Sequence, residues 1–361
     1  MRRVASLWSD QSPVAAGVRG LLIPFEIAFR GAAGVRNWMY DRSLLHSEKA
    51  DIPVVSIGNI SVGGTGKTPV AAWLVERLME RGASPAVVLR DYGDDEAEVH
   101  RLLNPLAVTV ASPSRAAGIR RAAQQGADVA VLDDAFQHRG VRRDEDIVLV
   151  SADRWTSAQH LLPAGPWREP LSSLSRASLA IITRKAADAS QVHAASAAIS
   201  KIAPHLPQAV VRLELAMLHR VDGRSTASAL SRSETRLSVT AWSGKRVVAV
   251  AAVGDPEAFY AQLESAGLSL ERATFPDHHP FTASEVLRLA NRGAPLAAVV
   301  CTLKDAVKLA PLWPAGSGPL WYVSQSISLE SGTPEVERVL TRMLALAEQS
   351  RKARDNAAAR P

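Results

Sequence analysis

The sequence predicts an α/β protein: a larger first domain built on a mostly parallel sheet, a second, smaller α/β domain, and an N-terminal amphipathic helix. Short β-branched runs alternate with helical patterns from Ile52 onward (PVVSI, AVVLR, ADVAVLDD, DIVLV, LAIIT, AVVRLEL), the rhythm of βαβ units. That rhythm weakens over Leu218 to Lys245, a stretch rich in Ser, Thr and Arg, and restarts with RVVAVAAV. Before it, residues 13–40 are apolar but interrupted by charges at helical spacing.

A chain of 361 residues, 47% hydrophobic and 22% charged, can bury a sizeable core and is long enough for about two domains. The expected division is a helical segment over 1–40, the first domain over 41–217, a linker over 218–245, the second domain over 246–345, and a frayed charged tail over 346–361. The net charge of +6 favours negatively charged partners. No zinc-finger spacing, RNP-like string or long Lys/Arg block accompanies it, so nucleic acid is not an expected partner, and no feature marks a protein partner. The single cysteine, Cys301 in AAVVCT, excludes an internal disulfide and reads as part of a buried strand. No uninterrupted apolar run reaches the roughly 18 residues of a conventional membrane-spanning helix.

In the N-terminal helix, at about 100° per residue, Arg19, Glu26 and Arg30 share one stripe while Val14, Val18, Leu21, Leu22, Phe25 and Phe29 gather opposite. Pro24 is expected to kink the helix or begin a new one. Two placements fit this pattern. The helix lies on a membrane, with arginines at the headgroups and Trp38 at the boundary, or it docks on the protein's own core.

The strongest local pattern is strand PVVSI, then GNISVGGTGKT, then a helix opening at Pro69 with Val70, Leu74 and Leu78 on one face. Gly63, Gly64 and Gly66 let backbone N–H groups converge on one point, and the helix N-terminus favours an anion there. Ser61, Val62, Gly63, Gly64, Thr65, Gly66, Lys67 and Thr68 therefore form a phosphate cradle for ATP or GTP, and the first domain is P-loop NTPase-like. Ser61 stands where the motif has its first glycine. Lys67 reaches the β- and γ-phosphates and the Thr68 hydroxyl is placed for Mg²⁺. A second strand, VAVLDDAFQHR, ends in Asp133 and Asp134, either of which can hold Mg²⁺ through water at the carboxyl edge of the sheet.

The set GNISVGGTGKTP, LDDAFQHR, LLPAGPWREPLSSLSRA, FPDHHPFT and TLKDAVKL, in that order over about residues 15–310, resembles the tetraacyldisaccharide 4'-kinase family of lipid A biosynthesis. The resemblance implies ATP- and Mg²⁺-dependent phosphorylation of the 4'-hydroxyl of a lipid disaccharide 1-phosphate, giving lipid IVA. It also implies an anionic membrane surface as partner, at the cytoplasmic face of the bacterial inner membrane, and so favours the interfacial placement of the N-terminal helix. By the same resemblance Asp95, followed by Glu96, is the base toward the sugar hydroxyl, with Asp94 as competitor; His278 supports it, with His279 and Asp277 adjacent; and Lys67 offsets developing charge. Glu96, Arg115, His138, Arg168 and Glu169 occupy family-like positions for substrate. Thr302 and Asp305 have the spacing of a helix capping box and read as structural. Two other readings stay open: a nucleotide-dependent switch acting on a protein partner, which shares the loop and Asp133, and a membrane-binding relative without catalysis, motivated by Ser61, Asp91 and Asp94, where the family pattern is broken.

Overall fold

The computed structural model describes residues 8, 12–90, 94–156, 159–221, 230, 235–294 and 296–358. Asp91, the side chain of Asp94 and residues 222–229 and 231–234 of the expected linker lie outside the described residues. The chain forms two compact units: Met1–Arg90, Ala107–Val211 and Leu329–Pro361 make the first, Asp91–Leu106 and Arg212–Ser328 the second.

In the first unit, strands β1 (Val54–Asn59), β2 (Pro85–Arg90), β3 (Val108–Ser112), β4 (Val129–Asp133), β5 (Glu145–Ser151) and β6 (Leu179–Arg184) run in the order β6-β5-β1-β4-β2-β3. Every pairing among them is parallel. All six residues of β1 are buried, as expected of a central strand covered on both faces, which is why it reads as a continuous apolar run. The next helices, Lys67–Glu80 and Arg115–Gln124, pack on this sheet beside β2 and β4. The register sets Ile57 of β1 beside Asp133 of β4, so the loop leaving β1 and the carboxylates ending β4 share one edge.

The N-terminal helix α1 (Pro13–Asp41) belongs to this unit and docks with its polar side. Glu26, 5% exposed, accepts from the Leu161 N–H at 2.9 Å and from Arg30 at 3.2 Å, and meets His160 Nδ1 at 3.0 Å. Burial pushes the Glu26 carboxyl up, but these partners outweigh it and leave it below its usual range. Leu21, Phe25 and Ile27 stay exposed, at 75%, 65% and 64%. Phe29, expected on that apolar side, instead packs against the core. The helix also runs unbroken through Pro24 rather than breaking there; the Ser12 cap before it and the Glu26 and Arg36 contacts after it hold the helix across the missing donor.

In the second unit, β9 (Arg246–Ala251) pairs in parallel with β10 (Ser269–Thr274) and β11 (Val299–Thr302), and β11 pairs with β12 (Leu320–Ser331). Cys301 is buried on β11, as its setting predicts. β7 (Gln208–Val221) and β12 each pass from one unit to the other, and β8 (Arg236–Ser238) lies antiparallel on β7 inside the stretch expected to be linker. Two segments group differently from the expected division. Helix α3 (Asp94–Leu103) joins the second unit because Val99 and Leu102 pack with Val286, Ala306 and Leu309. The last helix, α9 (Thr333–Ala358), joins the first: Val339, Leu340, Met343 and Ala347 are buried, and Arg351 pairs with Asp128 at 3.1 Å. Within the segment expected to fray, residues 346–358 are helical, with Ala347 buried and Arg351 paired to Asp128.

Gly58 lies near the end of β1, where an added Cβ would stand 2.5 Å from both the Cβ and the backbone nitrogen of Phe136. Phe136 is fully buried and cannot retreat. Gly58→Ala is expected to destabilise the chain by about 1–3 kcal/mol, read as a lower denaturant midpoint; an unchanged midpoint would show that the strand and Phe136 can part.

Candidate active site

The loop after β1 is shaped by two left-handed glycines, Gly63 at φ 114° and Gly66 at φ 86°, the latter capping helix α2 (Lys67–Glu80). Gly63 has a second requirement: a Cβ there would collide with the guanidinium of Arg154. The loop is braced from several sides. Asn59 Nδ2 donates to Thr65 Oγ1 at 2.8 Å, Thr183 Oγ1 to the Thr65 carbonyl at 2.9 Å, and Lys185 Nζ to the Gly64 carbonyl at 2.8 Å. The segment Pro166 to Glu169 runs alongside, with Val62 N–H on the Pro166 carbonyl at 2.7 Å and Arg168 N–H on the Ile60 carbonyl at 2.8 Å. Ser61 bridges to Trp167 within this arrangement, so a serine is accommodated at the motif's first position.

Asp133 and Asp134 meet the loop differently. Asp133 Oδ2 lies 3.3 Å from the Thr68 hydroxyl, while Asp134 Oδ1 lies 3.7 Å from Lys67 Nζ and 2.9 Å from Arg168. Asp134 turns this way because its backbone is left-handed, φ 47°, a conformation Asp tolerates better than most residues. Thr68 and Asp133 supply hard oxygen donors of the kind Mg²⁺ takes together with phosphate oxygens and water, and the pair fits that ion. Among the described residues no cluster of three or more His, Cys, Asp or Glu forms an all-protein metal site.

The other expected substrate residues are tied into the scaffold. Arg115 is buried, donating to the carbonyls of Asp134 at 2.8 Å and Val88 at 3.4 Å. Arg168 and Glu169 do not pair with each other: buried Glu169 takes a two-pronged contact from Arg176, at 2.7 and 3.0 Å, and one from Asn37 of α1 at 3.2 Å. His138 is pushed down to about 4 by burial and by the charges of Arg115, Arg143, Arg90 and Arg36, so its ring is neutral at neutral pH.

In the second unit, Asp95 at the start of α3 is largely buried and faces helix α8 (Leu303–Leu309). Lys308 Nζ stands 2.9 Å and His278 Nδ1 3.4 Å from Asp95 Oδ2. Burial would raise the Asp95 carboxyl, but His278, Lys308 and Lys304 outweigh it and hold the group far below the usual carboxylate range. Lys304 reaches both Glu96, at 3.2 Å, and His278 Nε2, at 3.0 Å. The neighbouring His279 is separated from this group by its partners: it meets Glu285 at 3.1 Å and stacks among Phe275 and Phe281. Thr302 caps α8 as the spacing predicts, accepting from the Asp305 N–H at 3.2 Å. The bracing residues Thr183 and Lys185 lie in no motif that would single them out, and Asn59 lies in GNISVGGTGKT ahead of the phosphate cradle itself. Lys304 and Lys308 carry one faint signal, their i,i+4 spacing on a short helix.

The family model described as Tetraacyldisaccharide-1-P 4'-kinase matches residues 18–345. A tetraacyldisaccharide 4'-kinase of Anaeromyxobacter dehalogenans strain 2CP-1 is 37% identical, covering 94% of each chain. One of Halorhodospira halophila is 33% identical over 89% of this chain and 93% of its own. The crystal structure of LpxK from Aquifex aeolicus, described as an "apo" form in complex with ATP, superposes with a TM-score of 0.67 at 24% identity, covering 90% of this chain and 99% of that one.

Asp305 is fully buried with Oδ1 lacking a hydrogen-bond partner among the described residues. Burial raises its carboxyl from 3.8 to about 6, against the pull of the Ala252 N–H, the Thr302 hydroxyl, Lys308 and Lys304. Between those values the unfolded chain gives up the proton first, so this group lowers stability as pH rises through the window and the loss persists above it. Asp305→Asn keeps an acceptor for both donors and removes the titration. The variant is expected to lose a pH-dependent component of about 2–3 kcal/mol in melting curves taken from acid to neutral pH; an unaltered pH dependence would assign the component elsewhere.

Proposed function

Because this chain belongs to the tetraacyldisaccharide-1-P 4'-kinase family, we propose that it transfers the γ-phosphate of ATP to the 4'-hydroxyl of tetraacyldisaccharide 1-phosphate, the step of lipid A biosynthesis that gives lipid IVA. The observation that carries this is the braced phosphate loop with Lys67 and Thr68 facing Asp134 and Asp133, in a chain matched by the family from residue 18 to 345.

The loop's N–H groups and Lys67 hold the nucleotide phosphates, with Lys67 offsetting charge on the transferred group. Thr68 and Asp133 are the residues that would hold Mg²⁺, which neutralises phosphate charge when bound. Arg168, held on Asp134, adds a second cation at the loop. Asp95 accepts the proton of the sugar hydroxyl and His278 supports it. Its depressed pKa keeps Asp95 ionised throughout the working range, and a weakly basic carboxylate suffices where the transition state is loose and catalysis is mainly positioning. The reading also places α1 on the cytoplasmic face of the bacterial inner membrane. What supports this is a helix that gives its polar side to the protein and leaves Leu21, Phe25, Ile27 and Trp38 exposed, in a chain of net charge +6. No helix among the described residues is long and apolar enough to cross a membrane.

Purified protein in detergent, given labelled ATP and the disaccharide 1-phosphate, is expected to transfer label to the lipid. Lys67→Ala and Asp95→Ala should each lower that rate by about 100-fold or more. ATP hydrolysis without labelled lipid would replace the proposal with the nucleotide-switch reading, and full activity of the Asp95 variant would remove it as the base. In a separate measurement, Leu21→Asp combined with Phe25→Asp is expected to weaken sedimentation with vesicles containing anionic lipid by at least about tenfold, with the melting temperature unchanged. Equal sedimentation would take α1 off the membrane.

A further inference from the structure

We propose that Glu26 of α1 is a positioning residue for nucleotide binding: through the closed loop 160–167 its carboxylate holds the entrance of the phosphate loop in the shape that receives ATP. This rests on the kinase reading above only in that the loop binds ATP; the acceptor does not enter.

The connecting loop behaves as one piece. Gly165 N–H donates to the Leu161 carbonyl at 2.8 Å, Leu162 N–H to the Trp167 carbonyl at 2.8 Å, and Trp167 N–H to the His160 carbonyl at 3.2 Å. A Cβ on Gly165 would collide with the His160 carbonyl, so the turn closes with no room for a side chain. Leu161, Ala164 and Trp167 are buried. Cross-bonded and packed in this way, the loop carries a displacement at Leu161 through to Trp167.

Its two sides meet different partners. Toward α1, Glu26 Oε1 accepts from the Leu161 N–H at 2.9 Å and Oε2 meets His160 Nδ1 at 3.0 Å. Toward the phosphate loop, the Pro166 carbonyl accepts from the Val62 N–H at 2.7 Å, Trp167 bridges to Ser61, and the Arg168 N–H donates to the Ile60 carbonyl at 2.8 Å. The Arg168 guanidinium then reaches Asp134 at 2.9 Å, the carboxylate that faces Lys67. Ile60, Ser61 and Val62 lead the chain into the cradle, so their placement sets where the following N–H groups converge.

An apolar side chain at position 26 would dock the helix without the cost of burying a carboxylate. What the carboxylate adds is direction: its two oxygens fix a backbone N–H and a ring nitrogen at once, which apolar contact would let slide. A cradle held in its binding shape beforehand loses no affinity to its own ordering. Glu26 therefore contributes to nucleotide affinity without touching the nucleotide.

Titration calorimetry of the full chain in detergent, with a non-hydrolysable ATP analogue and Mg²⁺, tests this. Glu26→Ala is expected to raise the Kd by about tenfold. Glu26→Gln keeps the length and an acceptor for the Leu161 N–H, and is expected to stay within about threefold of the wild type. Glu26→Asp keeps the charge but falls one methylene short, and is expected to raise the Kd by about fivefold or more. Should Glu26→Ala fail to fold, the order of the Gln and Asp variants still decides. In the lipid assay, the Ala and Asp variants are expected to raise KM for ATP with kcat within about threefold. Folded Ala and Asp variants with the wild-type Kd, whatever their melting temperatures, overturn the proposal, and so does an Asp variant that binds more tightly than the Gln variant. A wild-type chain that binds the analogue but labels no lipid overturns the kinase reading instead, and the Kd values still decide the role of Glu26. A wild-type chain that binds no analogue overturns both.

Discussion

The phosphate site depends on bringing two consecutive carboxylates to one loop, which a regular strand cannot do. Successive side chains of a strand point to opposite faces, so Asp133 and Asp134 would diverge if β4 simply continued. The left-handed backbone at Asp134 breaks that alternation, and the surrounding structure holds the break. The Asp134 N–H donates to Asp133 Oδ1 at 2.8 Å, and buried Arg115 grips the Asp134 carbonyl. Asp133 is thereby aimed at Thr68 and Asp134 at Lys67 and Arg168. Arg115 thus acts on the site through the backbone, and its burial follows from that task.

Much of this was legible in the sequence because it is local. The phosphate loop, the strand ending in two aspartates and the Thr302 cap each depend on residues within a few positions of one another. What was not legible is where a helix with an apolar side finds its complement. The sequence marks no buried stripe over residues 94–103 and no docking of the last helix; only packing shows that Val99 lies with Ala306 and that Met343 is buried in the other unit. The two lysines of α8 were hidden for a related reason. The capping pattern that explains Thr302 and Asp305 also sets the helix that carries them.

Helix α1 shows the same limit in its sharpest form. Its sequence has two faces, and in a water-soluble protein the apolar face would be the docked one. Here Glu26 decides otherwise: a carboxylate at 5% exposure is tolerable only because the Leu161 N–H, His160 and Arg30 surround it. Further along, Asn37 reaches Glu169 and Arg36 donates to the Gln137 carbonyl at 2.9 Å. The polar stripe thus doubles as a link from the helix to segments that line the phosphate loop, and Val14, Val18, Leu21 and Phe25 of the apolar stripe remain outside.

The two groups of charges differ in how readily they exchange partners. Lys67 and Asp134 are 3.7 Å apart, and the Asp134 side chain is 38% exposed, so water screens the pair and little is lost when Lys67 turns to a phosphate. Lys308 and Asp95 are 2.9 Å apart with side chains 15% and 13% exposed, and separating them would leave a mostly buried charge without its counter-ion. Distance and burial, more than residue type, therefore separate a lysine whose ion pair exchanges readily from one whose pair is fixed.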